Sequence, residues 1–199
     1  MGFGWFLIGY FFVAVMSSYS ALSFAMLAGY PMMILALRQM APYHRYFHVG
    51  FYISLLSLPF ALYYAVYGLS QLGVLSTGAF SGALLQTVEW AYFAFTLLFT
   101  AFWLYAVAEF CRELGLPRLQ GGALRNLLLY GVYSLLELVA RLPIGFIRQN
   151  QGYFAVPVLF FRLVVIFLNL YLIFGCYRAI GPEGEDLTKN TKKGRGGKK

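Results

Sequence analysis

The sequence predicts an all-α integral membrane bundle of five transmembrane helices, N-terminus outside and C-terminus cytoplasmic. Three observations lead there. The 199 residues are 61% hydrophobic and only 11% charged, whereas a soluble domain carries about 25% charged residues. The charges are segregated, and long stretches contain none. With five spans laid out, twelve of the fifteen Lys and Arg residues fall on one side, as cytoplasmic faces require. The expected localisation is the cell membrane, as a multi-pass protein.

The first apolar block runs from Trp5 to Leu37, 33 residues. Two spans and a turn need roughly 40, so the block reads as one span at about 6–29 with an overhang. Gly29-Tyr30-Pro31 marks the division, because proline stops or kinks a helix. The segment PMMILALRQM then continues as a kinked extension or a short interfacial helix. The opening MGFGWFLIGY has no basic leader-type start and reads as part of a span rather than a cleaved signal.

Span 2 covers about 49–69, with a kink expected at Pro59. Span 3 covers about 82–108, and a charged loop broken by Pro117, Gly121 and Gly122 follows over 109–123. Span 4 covers about 124–143 and span 5 about 154–177. Residues 1–180 thus form one transmembrane domain, and 181–199 a disordered, basic cytoplasmic tail. Six basic residues in KNTKKGRGGKK are expected to touch anionic headgroups; without interleaved aromatics, no nucleic-acid role is expected.

Polar residues recur at helical spacing inside three spans. Span 3 carries Gln86, Glu89, Thr96, Thr100 and Trp103 on one face. Span 4 carries Asn126, Tyr130, Tyr133, Ser134, Glu137 and Arg141, and span 5 carries Arg162, Asn169 and Cys176 at intervals of seven. A lipid-facing charge at the helix centre costs about 2.5–3.5 kcal/mol on insertion scales, so these faces should turn inward. At ~1.5 Å per residue, Glu89, Glu137 and Arg162 all lie roughly 9–12 Å below the outer surface. The candidate binding set is therefore Glu89, Glu137, Arg141 and Arg162, with Gln86 and Asn169 beside them.

That layer has two readings. As a structural network, Glu137 pairs with Arg141 one turn away and Arg162 pairs across helices. The chain is then a non-enzymatic scaffold or partner subunit whose Glu/Arg network orders helices 3–5. As a binding site, Glu89, Glu137 and Arg162 form an outward-facing polar site in a small permease or a solute or ion receptor.

Span 1 adds Ser17, Ala21, Ala25 and Gly29 at intervals of four, a ridge suited to close packing within the chain, against a second copy, or against a membrane partner. His44 and His48 lack a third ligand nearby in sequence, so no metal or other cofactor is expected. Cys111 and Cys176 give no disulfide framework. No hydrolase, kinase, zinc-protease or nucleotide-binding motif is present, and no enzymatic activity is expected.

Overall fold

The computed structural model describes residues 2–18, 20–74, 82–142 and 151–180, and every regular element among them is helical. The order is α1 (Phe3–Ala14), two 3₁₀ turns (Met16–Ser18 and Ser20–Ala25), α2 (Met26–Met40), α3 (Arg45–Leu55), α4 (Ser57–Gln71), α5 (Gly82–Glu113), α6 (Pro117–Arg141) and α7 (Gln151–Ile180). Four stretches, Arg45–Gln71, Gly82–Glu113, Pro117–Arg141 and Ala155–Ile180, are long and apolar enough to cross a membrane. At ~1.5 Å per residue each exceeds the ~30 Å hydrocarbon core.

The distribution of polarity is that of a membrane protein. Leu128 and Phe167 are 68% and 69% exposed, while Asn126 and Asn169 are 1% and 0% exposed. Leucine on the outer wall costs nothing against lipid; an amide there would lack partners. The chain is a multi-pass helical bundle.

The stretch 6–29, expected as one span, is not one continuous helix. Its backbone reverses through the 3₁₀ turns, and α1 packs antiparallel to α2. A Cβ on Gly2 would meet the Ala36 carbonyl and Met40, and one on Gly9 would lie 2.7 Å from the Gly29 carbonyl. Gly29 in turn sits against Phe12 and Val13 of α1. Only glycine lets the two backbones approach this closely. The reversal falls in the serine-rich run, where Ser17 Oγ donates to the Val13 carbonyl and competes with helix continuation. Ser23 Oγ donates to the Tyr64 carbonyl at 2.8 Å, tying the turn to α4. Pro31, expected as a divider, lies within α2.

The four-residue ridge therefore does not persist along one face. Gly29 is used against α1, and Ala25 is buried within the chain. The side chain of Ala21 lies outside the described residues.

Pro59 acts as expected, three residues downstream of the break it causes. Lacking an N–H, it cannot serve the Leu55 carbonyl, and α3 gives way to α4 at Leu56. Ser54 Oγ and Ser57 Oγ donate to the Phe51 and Ser54 carbonyls at 2.7 and 2.6 Å, satisfying backbone acceptors at the kink.

The expected loop 109–123 shrinks to three residues. Gly115 adopts φ +68°; its N–H bonds the Arg112 carbonyl, and the Leu116 N–H bonds the Cys111 carbonyl. This is the hydrogen-bond pair of a glycine-terminated helix, and Pro117 starts α6 at the position where its missing N–H costs nothing. Gly121 and Gly122 are absorbed into α6. Spans 3, 4 and 5 accordingly extend to α5, α6 and α7.

Two contacts orient the bundle. Gly4 of α1 faces the Tyr177 ring of α7, and His44, between α2 and α3, reaches Glu113 at the end of α5. The start of α1, the α2–α3 turn, the α5–α6 turn and the end of α7 thus share one end of the bundle, with Arg38, Arg45, Arg112, Arg118 and Arg178 on the flanking turns. The tail 181–199 and Arg148 lie outside the described residues.

Candidate functional site

The two halves of the bundle are filled differently. At the end bearing the basic residues, aromatic rings close the interior: Phe47 meets Phe110 edge-on at 5.2 Å, and Phe6 packs on Trp103 at 5.2 Å. Beyond Trp103 the helices part around a cavity of about 420 Å³.

Glu89 from α5, Glu137 and Arg141 from α6, and Arg162 from α7 all line this cavity. The facing stripes read from helical periodicity bring these four together. Gln86 is exposed, one turn further out on α5, and does not line it. Asn169 does not line it either. It lies deeper, fully buried, accepting from Asn126 Nδ2 at 3.1 Å and donating to Tyr10 Oη at 2.9 Å. Its place is in the frame that holds α6, α7 and α1 together.

Arg141 is held from two sides. Its Nη2 and Nε donate to Glu137 Oε1 at 2.6 and 3.1 Å, and its guanidinium stands 5.0 Å from the Phe93 ring centre. Charge-assisted bonds and a cation–π contact together fix the side chain at the mouth. The Glu137–Arg141 pair is intrahelical, so it orders one helix surface and does not select which helices meet.

The walls are rich in tyrosine. Tyr30 and Tyr92 share a hydroxyl contact of 2.9 Å linking α2 to α5, and Tyr130 Oη donates to the Thr96 carbonyl at 2.9 Å, linking α6 to α5. Tyr64, Tyr67 and Tyr133 complete the wall nearer the mouth. The floor is Trp103, 2% exposed. Its indole N–H finds no acceptor among the described residues. A buried donor without a partner costs about 1–3 kcal/mol, and an acceptor entering the cavity would remove that cost. Fourteen residues separate Glu89 from Trp103 on α5, so the cavity wall runs roughly 20 Å from mouth to floor.

Sequence spacing did not reveal the contact of His44 with Glu113, 3.2 Å across 69 residues of chain. The pair is part of the bundle, with the His44 side chain 6% and the Glu113 side chain 59% exposed. Nor did spacing single out Tyr10 as the third member of the buried amide chain, since α1 shows no polar stripe. Among the described residues no group of three metal-ligating side chains comes together.

The comparisons with known proteins match this chain to no family model, no curated protein and no solved structure.

Proposed function

We propose that this protein is a membrane receptor or permease that takes a small zwitterionic solute into a cavity opening on the outer side. The observation carrying this reading is the convergence of two carboxylates and two guanidinium groups from three helices on one hollow. A balanced set of opposite charges suits a ligand that carries both signs, with the tyrosine faces adding affinity for its cationic part.

The scaffold reading asks the charged layer to order the helices. Neutral groups already tie the helices together: Asn126, Asn169 and Tyr10, the Tyr30–Tyr92 pair, and Tyr130 with Thr96. A frame held by amides and hydroxyls does not need the charged layer to order it, which supports a role for that layer in binding.

The membrane topology under this proposal has six passes. The α1–α2 hairpin supplies two, α3–α4 one, and α5, α6 and α7 one each. The end bearing Arg38, Arg45, Arg112, Arg118 and Arg178 faces the cytoplasm, so the cavity opens outward and both ends of the described chain lie inside.

Thermal denaturation of the detergent-purified protein tests the reading, against a panel of glycine betaine, phosphocholine, glycerophosphocholine and neutral amino acids. Saturating ligand at 100-fold its Kd stabilises by about 2.7 kcal/mol, a rise of roughly 5–10 °C for a chain of this size. Arg162→Gln should abolish the rise while the variant still folds. If no member of the panel moves the midpoint and Glu137→Gln alone lowers it, the charged layer is structural.

A further inference from the structure

A second hollow of about 240 Å³ adjoins the main cavity, lined by Tyr133, Glu137, Ala140, Ala155, Val158, Leu159 and Arg162. It lies between α6 and α7. Its outer wall faces the lipid side of the bundle: Leu159 is 56% exposed and Ala155 is exposed. Tyr133, Glu137 and Arg162 belong to both hollows. The polar site is therefore approached from two directions, from the outer mouth past Glu89 and Arg141, and sideways between α6 and α7.

The sideways approach passes at an unusual depth for charge. Arg162 lies seven residues below Ala155, where the membrane-crossing stretch begins, roughly 10 Å, below the headgroups and among the acyl chains. Beside it the groove is apolar, made by Ala140, Ala155, Val158 and Leu159. An apolar trough that ends on an Arg and a Glu matches a molecule with a hydrocarbon chain and a head of both signs.

We infer that the solute of this site is the head of a single-chain zwitterionic phospholipid, admitted from the outer leaflet through the gap between α6 and α7. This rests on the proposed solute-binding reading and names the ligand class for it. The phosphate would pair with Arg162, whose planar fork suits such oxygens. The cationic group would turn to Glu137 and the face of Tyr133. The acyl chain would lie in the trough. Because that chain already sits in hydrocarbon, moving it into an apolar trough gains little, and selection falls on the head.

The test uses the full chain in lipid nanodiscs with tritiated palmitoyl-lysophosphatidylcholine, alongside thermal shifts with glycerophosphocholine. Saturable, one-to-one binding of the lysolipid is expected, nearly independent of acyl length from 14 to 18 carbons (about this range, since the chain is in hydrocarbon either way). Ala155→Trp fills the trough from a lipid-exposed position and should weaken lysolipid binding about tenfold or more, a loss of roughly 1.4 kcal/mol, while leaving the glycerophosphocholine shift unchanged. Ala140→Leu should act in the same direction from the facing helix. Arg162→Gln should weaken both ligands. Lysophosphatidic acid, which lacks the cationic group, should bind more weakly than the zwitterion.

Equal lysolipid affinity in the parent protein, Ala155→Trp and Ala140→Leu would overturn lateral admission, with the cavity still open to soluble zwitterions from outside. An unchanged midpoint with glycerophosphocholine together with no saturable lysolipid binding would overturn both readings.

Discussion

His44 closes two structural tasks with one ring. The Tyr46 N–H donates to His44 Nδ1 at 3.3 Å, capping the start of α3, and Nε2 lies 3.2 Å from Glu113 Oε1. A nitrogen that accepts carries no proton, so the ring proton sits on Nε2 and is donated to the carboxylate. The same ring packs on Phe47 and Phe110 at 6.0 and 5.9 Å. These contacts make separable predictions. Asn is itself a strong N-cap, so His44→Asn keeps the cap but loses the Glu113 bond, about 0.5–1.5 kcal/mol, along with the ring packing on Phe47 and Phe110. His44→Ala loses the same contacts and the cap as well, a further loss of about 0.5–2 kcal/mol. Thermal midpoints in mild detergent measure the gap between the two variants. Equal losses would show that the cap contributes nothing. Residue-scale features of this kind are where sequence reading stops short, since Glu113 is remote in the chain and no local pattern announces it.

At the scale of elements, hydropathy and proline placement make α3 to α7 legible in the sequence. Apolar runs locate them, Pro59 announces the break between α3 and α4, and the periodic polar positions give their inward faces. The polar stripes also locate the four charged residues of the cavity. The α1–α2 hairpin escapes the same logic for a physical reason. Counting only the uninterrupted apolar block Trp5–Leu37 leaves out the polar residues at the end of the second arm, whereas the hairpin's helices run from Phe3 to Met40, 38 residues and close to the roughly 40 that two passes need. Glycine is the remaining clue, and it is ambiguous in sequence because Gly9 and Gly29 show their purpose only when facing each other. Gly9→Ala should cost about 1–3 kcal/mol, the range for overpacking a tight contact, since its Cβ would press on the Gly29 carbonyl and Met33. Gly121 has open space around its Cβ position, so Gly121→Ala should be neutral or stabilise by about 0.5–1 kcal/mol through helix propensity. Comparing the two midpoints checks the hairpin directly, and equal responses would remove the case for a close α1–α2 crossing.

Across the whole molecule, charge asymmetry and hollowness are what single positions do not carry. The grouping of basic residues at one end is visible in the sequence and survives the splitting of the first apolar block. Adding a pass there changes only the side on which the chain starts. The cavity is different: it exists because the helices around it leave space that even its large tyrosine and aromatic lining does not fill, and the absence of filling has no sequence signature. The proposed six-pass arrangement yields a test that a five-pass arrangement would answer oppositely. Gly4 lies against Tyr177, at opposite ends of the described chain, so reporters fused ahead of Gly2 and after Ile180 must fall on the same side. A fluorescent protein that matures only in the cytoplasm should glow from either position in a bacterial host, and a phosphatase active only outside should be silent from both. Leu72, beyond α4 at the other end and 52% exposed, should as Leu72→Cys react with a membrane-impermeant maleimide in intact cells, whereas Leu114→Cys should react only after lysis. An active phosphatase ahead of Gly2, with a silent one after Ile180, would restore five passes and separate the hairpin from the membrane-crossing set.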